Sequence, residues 1–469
     1  MEVEAHLQLA ETPSFAIVGL ADRACQEAKE RVRSGIKSAE LDWPKHRVVV
    51  NLAPAGLKKE GSGFDLPIAL TILAASAQIP ARALARHAVF GELALDGRLR
   101  PVGGVLAVAE GAKRLGYESI LCPAESSVEA SLAGIDAIPL RHLVEAVAFL
   151  RGDSVPPPYV PQNGHKPLPD APDLADVRGQ ERARRALELA AAGRHNLLLA
   201  GPPGIGKTML ARRLPGILPK LAGDEALEVT RIHSVAGVLR THGHLIETPP
   251  FRAPHHSAST AAIVGGGPGQ RPGEASLAHL GVLLLDEFPE FPRPVLEALR
   301  QPLEDGAITI ARVSGHAVFP ARFQLVATMN LCPCGGRADP GAECSCSAQQ
   351  LARFRAKLSQ ALLDRFDLVV TVPRPRAPEL AAAPGEPSSE VRCRVERARA
   401  GLQDGPPQRT PEANALLDRA VERLPLSGRG RARVTRVAAT VAALAGAETV
   451  GADHLAEALS FRASRDFAT

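Results

Sequence analysis

Residues 201–208 read Gly201-Pro202-Pro203-Gly204-Ile205-Gly206-Lys207-Thr208, and little else in the chain restricts its fold as much. A G-x-x-x-x-G-K-T stretch works only when a strand delivers it and a helix leaves it. Here the stretch 196–200, mostly apolar, predicts a buried strand before the loop, and Met209–Leu214 predicts a helix start after it. In that setting the glycines let backbone N–H groups wrap a phosphate. Lys207 then neutralises the β and γ oxygens, and the Thr208 hydroxyl can hold Mg²⁺.

A second motif, Leu283-Leu284-Leu285-Asp286-Glu287, ends an apolar strand on two carboxylates. Asp286 is placed to order the metal and Glu287 to polarise an attacking water. A glycine-rich turn or an acidic strand end alone is commonplace. The two in series predict an ATP- and Mg²⁺-dependent hydrolase on an α/β phosphate-loop fold.

Composition sets bounds around that core. A length of 469 residues suggests about three domains. Hydrophobic residues at 45% and charged ones at 23% fit a globular chain. No apolar run reaches the ~18 residues of a membrane span, and the N-terminus lacks a charged-then-apolar leader, so a cytoplasmic chain with no membrane partner is expected. Seven cysteines, an odd number with four of them bunched, argue against a secreted disulfide framework. A net charge of +4 does not by itself demand nucleic acid, and aromatics at 3% leave little material for base stacking.

The clearest boundary is Asp153–Pro172, whose prolines exclude a helix or a central strand and predict a stiff linker. Residues 1–152 before it alternate predicted strands (Arg47–Leu52, Ala88–Leu95, Ser119–Cys122, Ile135–Leu140) with predicted helices (Leu66–Ala77, Val105–Leu115). After it, residues 173–375 carry the nucleotide motifs, a helix over Gln180–Ala192 and a buried strand over Phe323–Thr328 that ends on Asn330. The Pro-, Gly- and His-rich stretch Pro249–Gly273 is too long for a plain connection and reads as a functional insertion. Ile308–Val313 and His316–Phe319 flank Ser314-Gly315 as a hairpin. A second Pro-rich break, Pro373–Pro387, introduces a helical region over 376–469, where Val434, Val437, Ala438, Val441 and Leu444 share one helical face.

With these motifs in place the chain resembles the ComM/YifB family of magnesium-chelatase-like AAA+ ATPases. The most specific pieces are Asn51-Leu-Ala-Pro54, Gly61-Ser-Gly-Phe-Asp-Leu-Pro67, Gly91-Glu-Leu93, Phe251-Arg-Ala-Pro-His-His-Ser-Ala-Ser259 and Leu363-Asp-Arg-Phe-Asp367. The resemblance implies a Lon-protease-like α+β N-terminal domain, an AAA+ three-layer core and a C-terminal helical lid. It further implies a ring, six subunits in the family pattern, that moves DNA in recombination or natural transformation. Carried over by motif, Asn330 resembles the polar sensor beside the acidic strand. Arg365 resembles an arginine finger that reaches a neighbour's site. Arg436 resembles the second sensor, with Arg433 one turn earlier as its rival. An amide there can orient a water, and a guanidinium can spread over γ-phosphate oxygens.

Two departures from the family pattern stand out. The chain starts inside the Val3-Glu4-Ala5 segment that an extra strand usually precedes, which implies either an upstream start or a sheet one edge short. A Lon-type peptidase needs a Ser activated by a Lys; here Ser62 lies too early and Leu106 holds the lysine position after Gly103-Gly104. The domain is therefore expected without peptidase chemistry.

Cys332-Pro-Cys334 and Cys344-Ser-Cys346 place four thiols just past Asn330. Their C-x-C pairs are tighter than the usual C-x-x-C knuckle and leave two readings open, a structural zinc or a loop of reduced thiols. Cys25, Cys122 and Cys393 read as ordinary core or surface residues. His255 and His256, taken as neighbours in an extended loop, are expected to point opposite ways, which disfavours a shared metal and favours contact with DNA or a neighbouring subunit. The functional expectation is an ATP-driven DNA motor. Rivals are a chelatase-type ATPase that remodels a protein partner, an ATP-dependent protease and a non-catalytic ring.

Overall fold

The computed structural model describes residues 1–19, 23–56, 59, 61–160, 172–239, 243–267, 271–312, 315–337, 339, 341–358, 360–403, 405–424 and 426–462. Most of the proline-rich linker, residues 161–171, lies outside them, as do Lys58, Ser314 and Pro340.

The N-terminal part is α+β, as the resemblance implies. Glu2–Gln8 pairs antiparallel with Arg47–Ala53, which pairs parallel with Phe15–Val18. Glu2–Gln8 alternates exposed and half-buried residues because only one face of this edge strand meets the core. Helices Arg23–Ser38 and Asp65–Ala75 bury Val32, Ile36, Leu66 and Leu70 against the sheet. A second, parallel sheet joins His87–Val89, Ser119–Pro123 and Asp136–Leu140.

The strand expected over Ala88–Leu95 is broken at Phe90-Gly91. Gly91 leaves the sheet to exchange backbone bonds with Gly63 and Leu66, and Glu92–Leu93 starts a separate hairpin with Leu99–Arg100. Alternating polarity cannot reveal a break whose cause lies 25 residues upstream.

The central part is built on five parallel strands: β1 (Leu197–Ala200), β2 (Phe251–Arg252), β3 (Val282–Leu285), β4 (Gln324–Met329) and β5 (Leu368–Thr371), in the order β2-β3-β4-β1-β5. Successive side chains of a strand point to opposite faces, and here each face feeds its own core. Leu197, Leu199, Leu284 and Val370 pack with helix α1 (Glu181–Gly193) and the C-terminal helices; Leu198, Ala200, Leu283 and Leu325 pack with Ile263, Phe288 and Leu296. That alternation makes the three layers. Strands buried on both faces must be almost wholly apolar, and β1 and β3 are.

Helix α2 (Lys207–Ala211) leaves the phosphate loop, and helix α3 (Gly223–Ala236) carries the contact with the N-terminal part. There Ser234 donates to Glu129, Arg231 pairs with Glu110 at 3.2 Å, and Gly103 packs closely on the Ser234 carbonyl. The expected hairpin forms between Ala307–Arg312 and Gly315–Pro320. Two short helices, Ala348–Ala356 and Gln360–Leu363, lead from the cysteine-bearing loop towards β5.

The C-terminal helices include Ser388–Gln403, Pro411–Arg423 and α4 (Gly428–Leu444). The apolar face read from sequence buries Val434, Val437, Ala438 and Val441 in the same core as Leu187 of α1. Among the described residues no helix is long and apolar enough to cross a membrane.

His195, at the foot of β1, is fully buried, shares a 2.8 Å hydrogen bond with Thr440 of α4 and lies 3.9 Å from Asp367. Burial pushes its pKa down to about 4. The imidazole is thus neutral in the folded chain, while an unfolded chain takes up a proton below about pH 6.5. Stability should fall as pH drops from 6.5 towards 4, by at most about 1.4 kcal/mol per pH unit from this group. Denaturant titrations of wild type and His195→Gln across that range check it: the variant should show the shallower acid slope.

Candidate nucleotide-hydrolysis site

The loop between β1 and α2 has the backbone its glycines permit. Gly204 and Gly206 adopt φ of 75° and 92°, a left-handed region costly for other residues. A Cβ on Gly201 would lie 2.3 Å from the Val372 carbonyl oxygen, so only glycine lets the loop pass the β5 end. Lys207 is 8% exposed. Its ammonium donates to the carbonyls of Gly201 (2.9 Å) and Pro202 (2.6 Å) and to Asn330 Oδ1 (3.0 Å). Burial lowers its pKa, which Asp286 and Glu287 oppose. Loop and amide are therefore held together by one cation.

The acidic pair stands at the same sheet edge. Thr208 Oγ1 donates to Asp286 Oδ1 at 2.8 Å, and the Thr328 hydroxyl donates to that same oxygen at 2.5 Å. The Glu287 backbone N–H donates to Thr328 Oγ1 at 3.1 Å. A hydroxyl and a carboxylate 2.8 Å apart at the head of a phosphate loop are hard oxygen donors suited to Mg²⁺. Glu287 itself has φ of 55° and its carboxylate faces open space, 3.7 Å from His256 Nδ1. It is free to meet a water on the phosphate side.

The arginines lie elsewhere. Asp367 accepts from the Asn196 backbone N–H at 3.0 Å, and the Asn196 amide donates to the Arg365 carbonyl at 3.0 Å. Both bonds are at the start of β1, whereas Lys207 follows its end. The strand rise puts roughly 15 Å between the two edges. Arg365 is 5% exposed; its guanidinium donates to the Ala361 carbonyl and to Glu304, and its Nε is buried with no hydrogen-bond partner among the described residues. Arg436 donates to Asp367 at 2.7 Å with its side chain 64% exposed, and Arg433 approaches the same carboxylate at 3.6 Å. These groups line a cleft of about 460 Å³ with Arg399 and Glu304. Asn330 thus joins Lys207, Thr208, Asp286 and Glu287, while Arg365 and Arg436 join each other at the far edge.

The four cysteines converge. Cys332 and Cys334 Sγ are 3.4 Å apart, and each is 3.7 Å from Cys344 Sγ. All four sulfurs lie within 4.8 Å of one another. Zn–S bonds of about 2.3 Å in a tetrahedron require sulfurs about 3.8 Å apart, so the set is consistent with a zinc site. Backbone N–H groups of Arg337 and Gly336 point at the Cys332 and Cys334 sulfurs, as thiolates require. The Gly336 bond comes first among the causes that bring the Cys334 thiol down to about 5.

One expectation needs correction. His255 and His256 do not diverge: the chain turns after them, and their rings lie 4.1 Å apart. Arg252, in the same Phe251–Ser259 motif, is a bidentate partner of Glu274 at 2.5 and 2.7 Å. Arg436, paired with Asp367 at the start of β1, stands about a strand length from the chain's own phosphate loop. Thr328 and His256 were missed as neighbours of the acidic pair. A lone threonine in the apolar run Leu325-Val-Ala-Thr-Met329 was the available signal for the first; nothing local marks the second.

Family profiles match three stretches of the chain: magnesium chelatase, subunit ChlI, over residues 173–380; subunit ChlI of Mg-chelatase over 3–126; and the ChlI C-terminal region over 406–462. Among similar proteins, an uncharacterized protein of Mycobacterium tuberculosis is 47% identical over 98% of this chain and 95% of its own length. The Competence protein ComM of Haemophilus influenzae is 42% identical, covering 98% and 94%. The uncharacterized protein YifB of Escherichia coli is 41% identical, again over 98% and 94%.

The geometry separates binding from turnover. Lys207→Ala should abolish or severely weaken nucleotide binding, while Glu287→Gln should bind normally and lose hydrolysis by a hundredfold or more, about the size of a lost general base. Equilibrium binding of a fluorescent ATP analogue beside steady-state phosphate release checks both.

Proposed function

The chain belongs to the magnesium-chelatase-like family of ATPases that includes proteins named ComM and YifB, and on that premise we propose that it is an ATP-driven, homo-oligomeric DNA motor. We divide it at residues 152, 172 and 375 into a Lon-like domain, a linker, an AAA+ core and a lid. In this reading residues 201–208 cradle the triphosphate, Thr208 and Asp286 hold Mg²⁺, Glu287 activates the water and Asn330 orients it. The metal, when bound, supplies charge neutralisation on the phosphate oxygens.

The observation that carries the reading is the separation of the two charge clusters. A guanidinium at the opposite edge of the sheet, a strand rise of roughly 15 Å away, is poorly placed for its own chain's hydrolysis. On a ring, that edge would face the next subunit's phosphate loop. Arg365 and Arg436 then act together on the neighbour's ATP, with Arg365 first leaving Glu304. The insertion over Pro249–Gly273 and the Ala307–Pro320 hairpin would line the pore of a hexamer.

DNA as cargo draws on the family resemblance and on a relative named Competence protein. The competing reading, remodelling of a protein partner, draws on the profile's name, magnesium chelatase. Proteolysis is disfavoured by the local chemistry. The Ser62 hydroxyl is bonded to Glu92, the buried Lys59 ammonium to the Pro54 carbonyl, and Leu106 is fully buried. Cys332, Cys334, Cys344 and Cys346 are proposed to hold one structural zinc.

Two measurements test this. ATPase activity with and without single-stranded and forked DNA should show stimulation that fades with salt; no binding and no stimulation at moderate salt would favour the protein-remodelling reading. Arg365→Ala should bind ATP yet hydrolyse it about 10³-fold more slowly or worse. Mixing it with Lys207→Ala subunits should recover activity, because a native Arg365 then meets an intact phosphate loop. No recovery in rings shown to exchange subunits would place Arg365 outside a shared site.

A further inference from the structure

The cysteine cluster does not stand apart from the nucleotide site. Gly335, which directly follows the first C-x-C pair, has φ of 79° and is buried against the phosphate loop: a Cβ there would lie 2.7 Å from Pro203 Cδ. Its neighbour Gly336 makes the opposite contact, where a Cβ would lie 2.8 Å from the Glu343 carbonyl oxygen beside Cys344. The two glycines thus sandwich a thin layer of chain between the second cysteine pair and the loop. Cys332, wholly buried, follows Asn330 by two residues, and Asn330 Oδ1 holds the Lys207 ammonium. Asp339, 4% exposed, pairs with Arg374 at 2.6 Å just beyond β5, which fixes the outer side of the knuckle to the sheet.

We infer that the metal-loaded cysteine knuckle is the support of the phosphate loop, with Gly335 as the positioning residue that presses on Pro203. The inference rests on the zinc reading given above. Four sulfurs within 4.8 Å of one another form a ready tetrahedral set for a soft divalent cation, which would relieve the repulsion between them as thiolates. With the cation bound, a short loop becomes a rigid wedge. Its inner surface limits the Pro202-Pro203 backbone, and its first ligand fixes the rotation of the chain at Asn330. Without it, both supports relax together, and nucleotide binding must then order the loop at its own entropic cost.

This assigns the cysteines a role in ground-state nucleotide affinity, separate from the water-activating Glu287. Zinc loss, or oxidation of the thiols that hold it, would act on the ATPase through binding.

The test uses the full chain, elemental analysis and the Kd of a fluorescent non-hydrolysable ATP analogue, measured with Mg²⁺ in excess before and after a zinc-selective chelator. Stripping should raise the Kd about tenfold or more, the usual size of an outer-shell effect, and added zinc should restore it. Gly335→Ala should keep its zinc and still bind nucleotide more weakly, with turnover at saturating ATP changed much less than KM. Protein that carries no metal as purified overturns the zinc reading and this inference with it. Metal present, with an affinity indifferent to stripping, overturns the inference alone. Should the stripped chain unfold, Gly335→Ala decides: a zinc-loaded variant with native affinity refutes the support.

Discussion

The side chain of Asn196 fixes the frame on which the nucleotide site is built. Its Oδ1 accepts from the Leu325 N–H of β4 and its amide donates to the Arg365 carbonyl before β5, while its own backbone N–H reaches Asp367. One residue at the foot of β1 thereby sets the register of both neighbouring strands. Because strands are stiff, that register is carried to the other edge, where it decides that Asn330 faces Lys207. A half-buried amide bonded through both its oxygen and its nitrogen specifies geometry in a way apolar packing cannot.

Features that depend on consecutive residues were legible in the sequence. The phosphate loop, the acidic strand end, the hairpin and the lid's apolar face each follow from spacing alone, and the structure forms all of them. Features that depend on which strands become neighbours were hidden. The break at Phe90-Gly91 needs Gly63; the position of Arg436 beside Asp367 needs the lid to dock on the β5 edge; the pairing of Arg252 with Glu274 needs the insertion to return. The four thiols were legible as a group, but two C-x-C pairs do not say that their glycines would meet Pro203.

The N-terminal part is held by buried ion pairing and apolar packing. Asp65, at the start of its helix, is fully buried and locked by Arg31 at 2.6 Å, with burial raising its pKa against that pairing. Leu106 sits in an apolar cluster that Leu227 of α3 helps to cover. Leu106 is thereby part of the seam between the N-terminal part and the central sheet's helices.

Helix α4 shares one apolar core with α1 and the β1 face, and His195 is sealed between them. A lid seated in this way cannot hinge over its own nucleotide without tearing that core open. Each chain therefore behaves as a solid block from sheet to lid. In the ring proposed above, any stroke that hydrolysis produces would then appear as slippage at the seams between blocks, so its elasticity would belong to the assembly and not to the part.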